Sequence, residues 1–115
     1  MQIVLDVMAR PSFSGSLREL IIDDLERDWE DYSGRKLELE VLSEKKPGRR
    51  SGWAKIKAKG LPGVLNISWH AHSKMLIVRA VGKQGNNPSD LIGRFLSYLL
   101  SKRRKDISAV IIRTL

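Results

Sequence analysis

Apolar and polar residues alternate with a period of two over four consecutive segments in the middle of the chain. Each segment turns its apolar side chains one way and its polar side chains the other, as in a strand with one buried face. Short links, Gly-Leu-Pro-Gly at 60–63 and Ser73-Lys74, favour pairing between successive strands. We therefore predict a four-strand antiparallel meander. Its strands are 36–42, 53–59, 64–71 and 75–81.

Two other segments repeat with the period of a helix. The Ser-x-x-Glu motif at 16–19 has the spacing of a capping box, and apolar residues then recur every three or four positions to Tyr32. A second helix is predicted from Pro88, which suits a first helical position after the capping residue Asn87. It ends in the basic run 102–105, where cations meet the negative end of the helix dipole.

The order of elements defines the fold class. Apolar segments 2–9 and 107–115 add a strand at each end, which gives the order β-α-β-β-β-β-α-β. With 115 residues the chain forms a single domain, 1–115. We predict an α+β domain whose two helices cover one face of a mostly antiparallel, twisted sheet. The pattern leaves open whether the last strand pairs within the chain or across a dimer.

The links suggest a register that gathers cations on the sheet face away from the helices. A four-residue link at 60–63 places Lys55 opposite Ser68 and Trp53 opposite His70, and a two-residue link at 73–74 places Ser68 opposite Arg79. Lys57 shares this face. Glu38 and Glu40 of the preceding strand are expected opposite Lys57 and Lys55. These carboxylates would then form ordinary cross-strand ion pairs with the two lysines.

Charge is distributed unevenly along the chain. The net charge is +8, but residues 1–44 carry 5 Lys/Arg against 11 Asp/Glu, whereas 45–115 carry 16 against 2. The basic part can attract a polyanion, or the acidic part can fold against it and neutralise it. The chain has no cysteine, no apolar run long enough to span a membrane and no signal-peptide pattern, so we expect a cytoplasmic protein.

Cations and one aromatic residue on a sheet are typical of nucleic-acid binding, in which bases stack on the ring and phosphates meet the cations. The longest link, 45–50, adds four cations beside Pro47 and Gly48. We therefore predict non-catalytic binding of DNA or RNA, without cofactor or metal. The predicted contacts are Lys45, Lys46, Arg49, Arg50, Trp53, Lys55, Lys57, His70, Arg79, Lys102, Arg103 and Arg104.

The same features allow an interaction protein. Trp53 and Ile77 on an exposed sheet face could form the contact of a homodimer. The acidic face of the first helix could instead meet the basic half of another copy.

A third alternative is an enzyme. The pair His70 and His72 around one alanine, with Tyr98 and Lys102 on a later helix, resembles the rolling-circle replication initiators. That resemblance implies a divalent metal on the histidines, Tyr98 as the nucleophile, and Lys102 beside the phosphate. The predicted register, however, puts the histidines and that helix on opposite faces. Without such a centre, Tyr98 is expected to be half buried with its hydroxyl in water.

Overall fold

In the part of the chain that the structure describes, six strands and two helices follow one another in the predicted order β-α-β-β-β-β-α-β. The computed structural model describes residues 2–27, 38–44, 52–82 and 88–115. The strands are β1 Gln2–Ala9, β2 Leu39–Ser43, β3 Trp53–Ala58, β4 Val64–His70, β5 Met75–Val81 and β6 Ile107–Thr114. The helices are α1 Leu17–Glu26 and α2 Ser89–Lys102, and one turn of 3₁₀ helix, Arg104–Asp106, precedes β6.

All the described strands belong to one antiparallel sheet, in the order β2-β3-β4-β5-β1-β6. The predicted meander β2 to β5 is confirmed, and so is the α+β class. The last strand pairs within the chain, because β6 lies beside β1. At the two edges of the described sheet are therefore β2 and β6.

The predicted register is wrong by two residues at both hairpins. Lys55 stands opposite Asn66 instead of Ser68, and Asn66 stands opposite Arg79. The β4–β5 turn uses four residues, 71–74, because Lys74 adopts a left-handed φ of 52°. Its Nζ then donates to the carbonyls of Pro11 and Phe13, at 2.7 and 2.9 Å. A shift of two residues keeps each side chain on its predicted face.

The core lies between the helices and one face of the sheet. It combines the inward residues of all six strands with the apolar stripes of α1 and α2, among them Leu17, Ile21, Phe95 and Leu99. We call the sheet face under the helices the inner face and the opposite one the outer face. Within the described ranges, no helix is both long and apolar enough to cross a membrane.

Both helices differ from the prediction at one end. The Ser16 hydroxyl accepts from the Glu19 amide at 3.3 Å as expected, but α1 ends at Glu26 because Arg27 is extended. The predicted continuation to Tyr32 lies outside the described residues. Helix α2 begins at Ser89, with Pro88 in the capping position, one residue later than predicted. The predicted cap, Asn87, also lies outside the described part.

Candidate nucleic-acid interface

A row of polar side chains crosses the outer face of the sheet. Lys55, Asn66 and Arg79 stand directly opposite one another on β3, β4 and β5. Because neighbouring strands lie about 4.8 Å apart, the Cα atoms of Lys55 and Arg79 are about 10 Å apart. Neither cation forms an ion pair in the described part of the chain. We call Lys55, Asn66 and Arg79 the basic row.

The predicted neighbours Glu38–Lys57 and Glu40–Lys55 do not stand opposite each other across the strands. Glu40 stands opposite Lys57, two positions from its predicted partner, and the register shift between Val41 and Ser43 then places Lys55 opposite Ser43. Glu38 adopts a left-handed φ of 54°, and its carboxylate lies 3.5 Å from Arg94 of α2. Lys55 therefore has no carboxylate across from it.

Trp53 is not an exposed stacking platform, which corrects the prediction. Its side chain is only 5% exposed. The start of β3 is held closely at this point: the backbone of Gly52 accepts from the Trp69 amide at 2.9 Å, and the Trp53 carbonyl accepts from Arg18 Nε at 2.8 Å. Arg18 is itself buried and also donates to the Glu44 carbonyl, which ties α1 to β2 and β3.

A second group of cations lies at the sheet end where β1 and β4 finish and β3, β5 and β6 begin. Arg10 follows β1, and its amide donates to the Asp106 carbonyl at 2.9 Å. Its Nε donates to the Lys105 carbonyl, also at 2.9 Å. Lys102 and Arg104 lie beside them in sequence, and all four side chains are exposed. We call Arg10, Lys102, Arg104 and Lys105 the basic end.

Sequence reasoning predicted Lys102 and Arg104 at this site but missed Arg10. The signal for Arg10 is its position one residue after β1, which matters only once β1 and β6 are known to pair. Because the sequence leaves that pairing open, nothing in the pattern brings residue 10 next to the 102–105 run. The pairing of β1 with β6 therefore brings the residues of the basic end together.

Arg103 does not belong to this exposed group, which is a second correction. Its Nε and Nη2 each donate at 2.7 Å to the two carboxylate oxygens of Asp24. Its Nη1 lies 3.4 Å from Asp106. The Tyr98 hydroxyl donates to Asp24 Oδ2 at 2.6 Å. The guanidinium therefore neutralises a buried carboxylate and is not available to a ligand.

The groups around Asp24 change one another's ionisation. Burial alone would raise the pKa of Asp24, but the hydrogen bonds from Arg103 and Tyr98 and the nearby positive charges hold it below its ordinary value. Burial and the bond to Asp24 raise the pKa of Tyr98 above its ordinary value. The bond to Asp24 likewise raises the pKa of Arg103. We call Asp24, Tyr98 and Arg103 the Asp24 cluster.

The residues of the predicted nuclease centre are not brought together. His70 lies at the end of β4 on the outer face, with its Nε2 3.0 Å from the Ser68 hydroxyl. His72 is exposed in the following turn. Tyr98 is fully buried among core residues on the inner face, so the expectation of a water-exposed hydroxyl is wrong. Among the described residues, no three His, Cys, Asp or Glu side chains are grouped to hold a metal ion.

The predicted loop cations Lys45, Lys46, Arg49 and Arg50 lie outside the described residues. The residues that bound this segment, Glu44 and Gly52, follow β2 and precede β3. Both therefore lie at the same end of the sheet as the basic end.

Comparison with known protein families, with curated proteins and with solved structures gives no match for this chain. A functional proposal therefore rests on the geometry described above.

Proposed function

We propose that this protein binds nucleic acid without catalysis, through the basic row and the basic end. The observation that carries the proposal is how the described cations are partnered. Arg18, Arg94, Arg103 and Arg113 each have a carboxylate partner. In the described part of the chain, no such partner exists for Lys55, Arg79, Arg10, Arg104 or Lys105.

Unpaired cations on an open surface favour contact with phosphates over recognition of bases. Phosphate contacts supply affinity and position but carry no sequence information. With Trp53 buried, base stacking no longer supports the proposal. We therefore expect binding that depends strongly on salt and weakly on sequence. The lack of cysteine fits a cytoplasmic location, which is part of the same proposal.

Catalysis is left out of the proposal for a geometric reason. The Tyr98 hydroxyl is bound to Asp24 beneath α2, and His70 lies on the other side of the sheet. A tyrosine nucleophile and a metal held by the histidines could not reach one phosphate in this arrangement.

The test is a titration of labelled single-stranded DNA, single-stranded RNA and duplex DNA, followed by fluorescence anisotropy at several salt concentrations. Two double variants remove two charges each from the proposed surface: Lys55→Ala with Arg79→Ala, and Arg104→Ala with Lys105→Ala. Each should weaken binding and reduce the log–log salt slope by roughly 1 for every phosphate that the variant no longer neutralises.

A matched control removes two charges elsewhere. Lys59 and Arg94 lie near each other at the opposite end of β3, where Arg94 Nη1 lies 3.2 Å from the Lys59 carbonyl. Lys59→Ala with Arg94→Ala should leave the salt slope unchanged. No binding at low salt, or the same loss of affinity in the control as in the two test variants, would contradict the proposal.

A further inference from the structure

Strand β6 presents a long apolar edge. It runs over eight residues, Ile107–Thr114, and β1 is its only neighbour among the described strands. Ile111 on the outer face is 50% exposed, and Ile112 on the inner face is 56% exposed. An exposed, long and apolar edge strand is a template for another strand.

The other edge of the sheet carries the features that discourage such pairing. Strand β2 has five residues, Leu39–Ser43, and its register shifts between Val41 and Ser43. Glu40 lies within it, and Glu38 before it has a left-handed backbone. Short length, irregularity and charge all protect an edge. Of the two described edges, β6 is therefore the one open to pairing with a further strand.

The backbone groups at the open edge can be identified from one hydrogen bond. The Leu115 amide donates to the Gln2 carbonyl of β1 at 3.1 Å. In an antiparallel pair, residues alternate between those that bond to the neighbour and those that point away. The N–H and C=O groups of Val110, Ile112 and Thr114 therefore point away from β1, toward the open edge.

We propose that β6 pairs antiparallel with β6 of a second copy of this chain, with a two-fold axis at Ile111. In this register Val110 of one copy exchanges backbone hydrogen bonds with Ile112 of the other, and Ile111 lies beside Ile111. Ser108 then lies opposite Thr114, and Arg113 opposite Ala109. The apolar residues Val110, Ile111 and Ile112 thus meet one another, the two hydroxyl residues meet each other, and Arg113 meets only the small side chain of Ala109.

Charge permits this contact despite the basic character of the chain. Arg113 is the one charged residue of β6, and its guanidinium donates twice to Asp6 of β1, at 2.8 and 3.0 Å. Its charge is therefore balanced within its own copy. Two copies of the strand meet without the like-charge repulsion that the net charge of +8 would suggest.

The first test is the mass in solution by sedimentation velocity, up to about 100 µM protein. We expect a particle of twice the chain mass of 13.0 kDa. Ile112→Pro should be a monomer with unchanged circular dichroism, because the lost amide points away from β1. Ile112→Val should stay dimeric. A monomeric wild type, or a dimer that persists in a folded Ile112→Pro, overturns the proposal.

A second test checks the proposed pairing of β6 with β6 even if Ile112→Pro fails to fold. The chain has no cysteine, so Ile111→Cys introduces a single thiol. In the proposed register the two Ile111 residues form a non-hydrogen-bonded pair with Cα atoms about 4.5 Å apart, within disulfide range. Mild oxidation should link the copies through this thiol. Ala109→Cys, exposed on the same face but offset from the axis, should link far less; equal linking of the two variants overturns the register and the axis.

Discussion

At the scale of single residues, the Asp24 cluster places a charged carboxylate inside the protein. Asp24 is buried on α1, and its partners Tyr98 and Arg103 come from α2 and the residue after it. A buried carboxylate is costly unless its oxygens are satisfied. Here both oxygens accept bonds, so the cluster joins the two helices at a polar point within an apolar layer.

Removing the carboxylate should therefore destabilise the protein strongly. Asp24→Asn removes the carboxylate that Arg103 binds through two nitrogens and leaves it only the longer contact to Asp106, and we expect a loss of about 3 kcal/mol in the free energy of unfolding. Tyr98→Phe removes one bond to a charged group and should cost about 1.5 kcal/mol. Urea denaturation measures both. In the double variant the losses should not add, since both bonds share one carboxylate; simple addition would contradict the coupling.

The same cluster predicts how stability changes with pH. Because the folded pKa of Asp24 lies below its unfolded value, the folded carboxylate stabilises the protein fully above about pH 4 and loses this effect as the pH falls through the folded pKa. The difference in unfolding free energy between wild type and Asp24→Asn should be constant near neutrality and narrow below about pH 4. A difference that stays constant down to pH values of about 3 would argue against an ionised Asp24.

Little of this cluster could be predicted from the sequence, and the reason is specific. The segment "DDLERDWED" suggests a solvent-exposed acidic helix face, and Asp23 is indeed exposed. Asp24, however, lies seven residues after Leu17, on the same side of the helix as the apolar stripe. That spacing indicates a carboxylate that points toward the core. Its partner Arg103, however, is 79 residues away in the basic run 102–105, whose sequence predicts exposed side chains only.

At the scale of elements, the alternation of apolar and polar residues predicted the sheet face of each side chain better than the residue opposite it on the neighbouring strand. Alternation placed Lys55, Lys57 and Arg79 on the outer face, although the predicted register was wrong by two positions at both hairpins. Faces depend on the side-chain period, which the sequence displays directly. Partners depend on the number of turn residues, which here depends on a left-handed Lys74 that no local pattern announces. Trp53 shows the limit of the face rule, because an outer-face position can still be buried at a strand end.

The β3–β4 hairpin depends more on Gly63 than on Gly60. Gly63 has a φ of 91°, and a Cβ there would lie 2.7 Å from the Val81 carbonyl oxygen. Gly60 has a φ of 76° with open space around it. Gly60→Ala should cost about 1 kcal/mol from the backbone alone, and Gly63→Ala at least about 1 kcal/mol more. Thermal and urea unfolding of the two variants check this; equal losses would show that Val81 yields without cost.

At the scale of the whole molecule, the two charge segments fold against each other. Three described ion pairs join a carboxylate from residues 1–44 to an arginine from 45–115: Asp6–Arg113, Asp24–Arg103 and Glu38–Arg94. The sequence left two alternatives for the uneven charge: the acidic segment neutralises the basic one within the chain, or the basic segment attracts a polyanion. The structure supports the first explanation for these arginines. Five cations without a carboxylate partner in the described part of the chain support the second as a proposal: Lys55, Arg79, Arg10, Arg104 and Lys105.

The two proposals together predict how affinity depends on the length of the nucleic acid. Antiparallel pairing of β6 places the two basic ends at opposite ends of the joined sheet, so one long strand can contact both. A single strand of about 40 nucleotides should bind at least about tenfold more tightly than one of about 10.

Disrupting the dimer should remove this advantage without touching the binding surface. Ile112→Pro changes no charge and lies outside the basic row and the basic end, so its affinity for the short strand should equal that of the wild type. Its affinity for the long strand should fall toward the short-strand value, because the second basic end is no longer tethered to the first. Anisotropy titrations with both lengths measure this. An equal loss of affinity at both lengths would mean that the variant damages the binding surface itself.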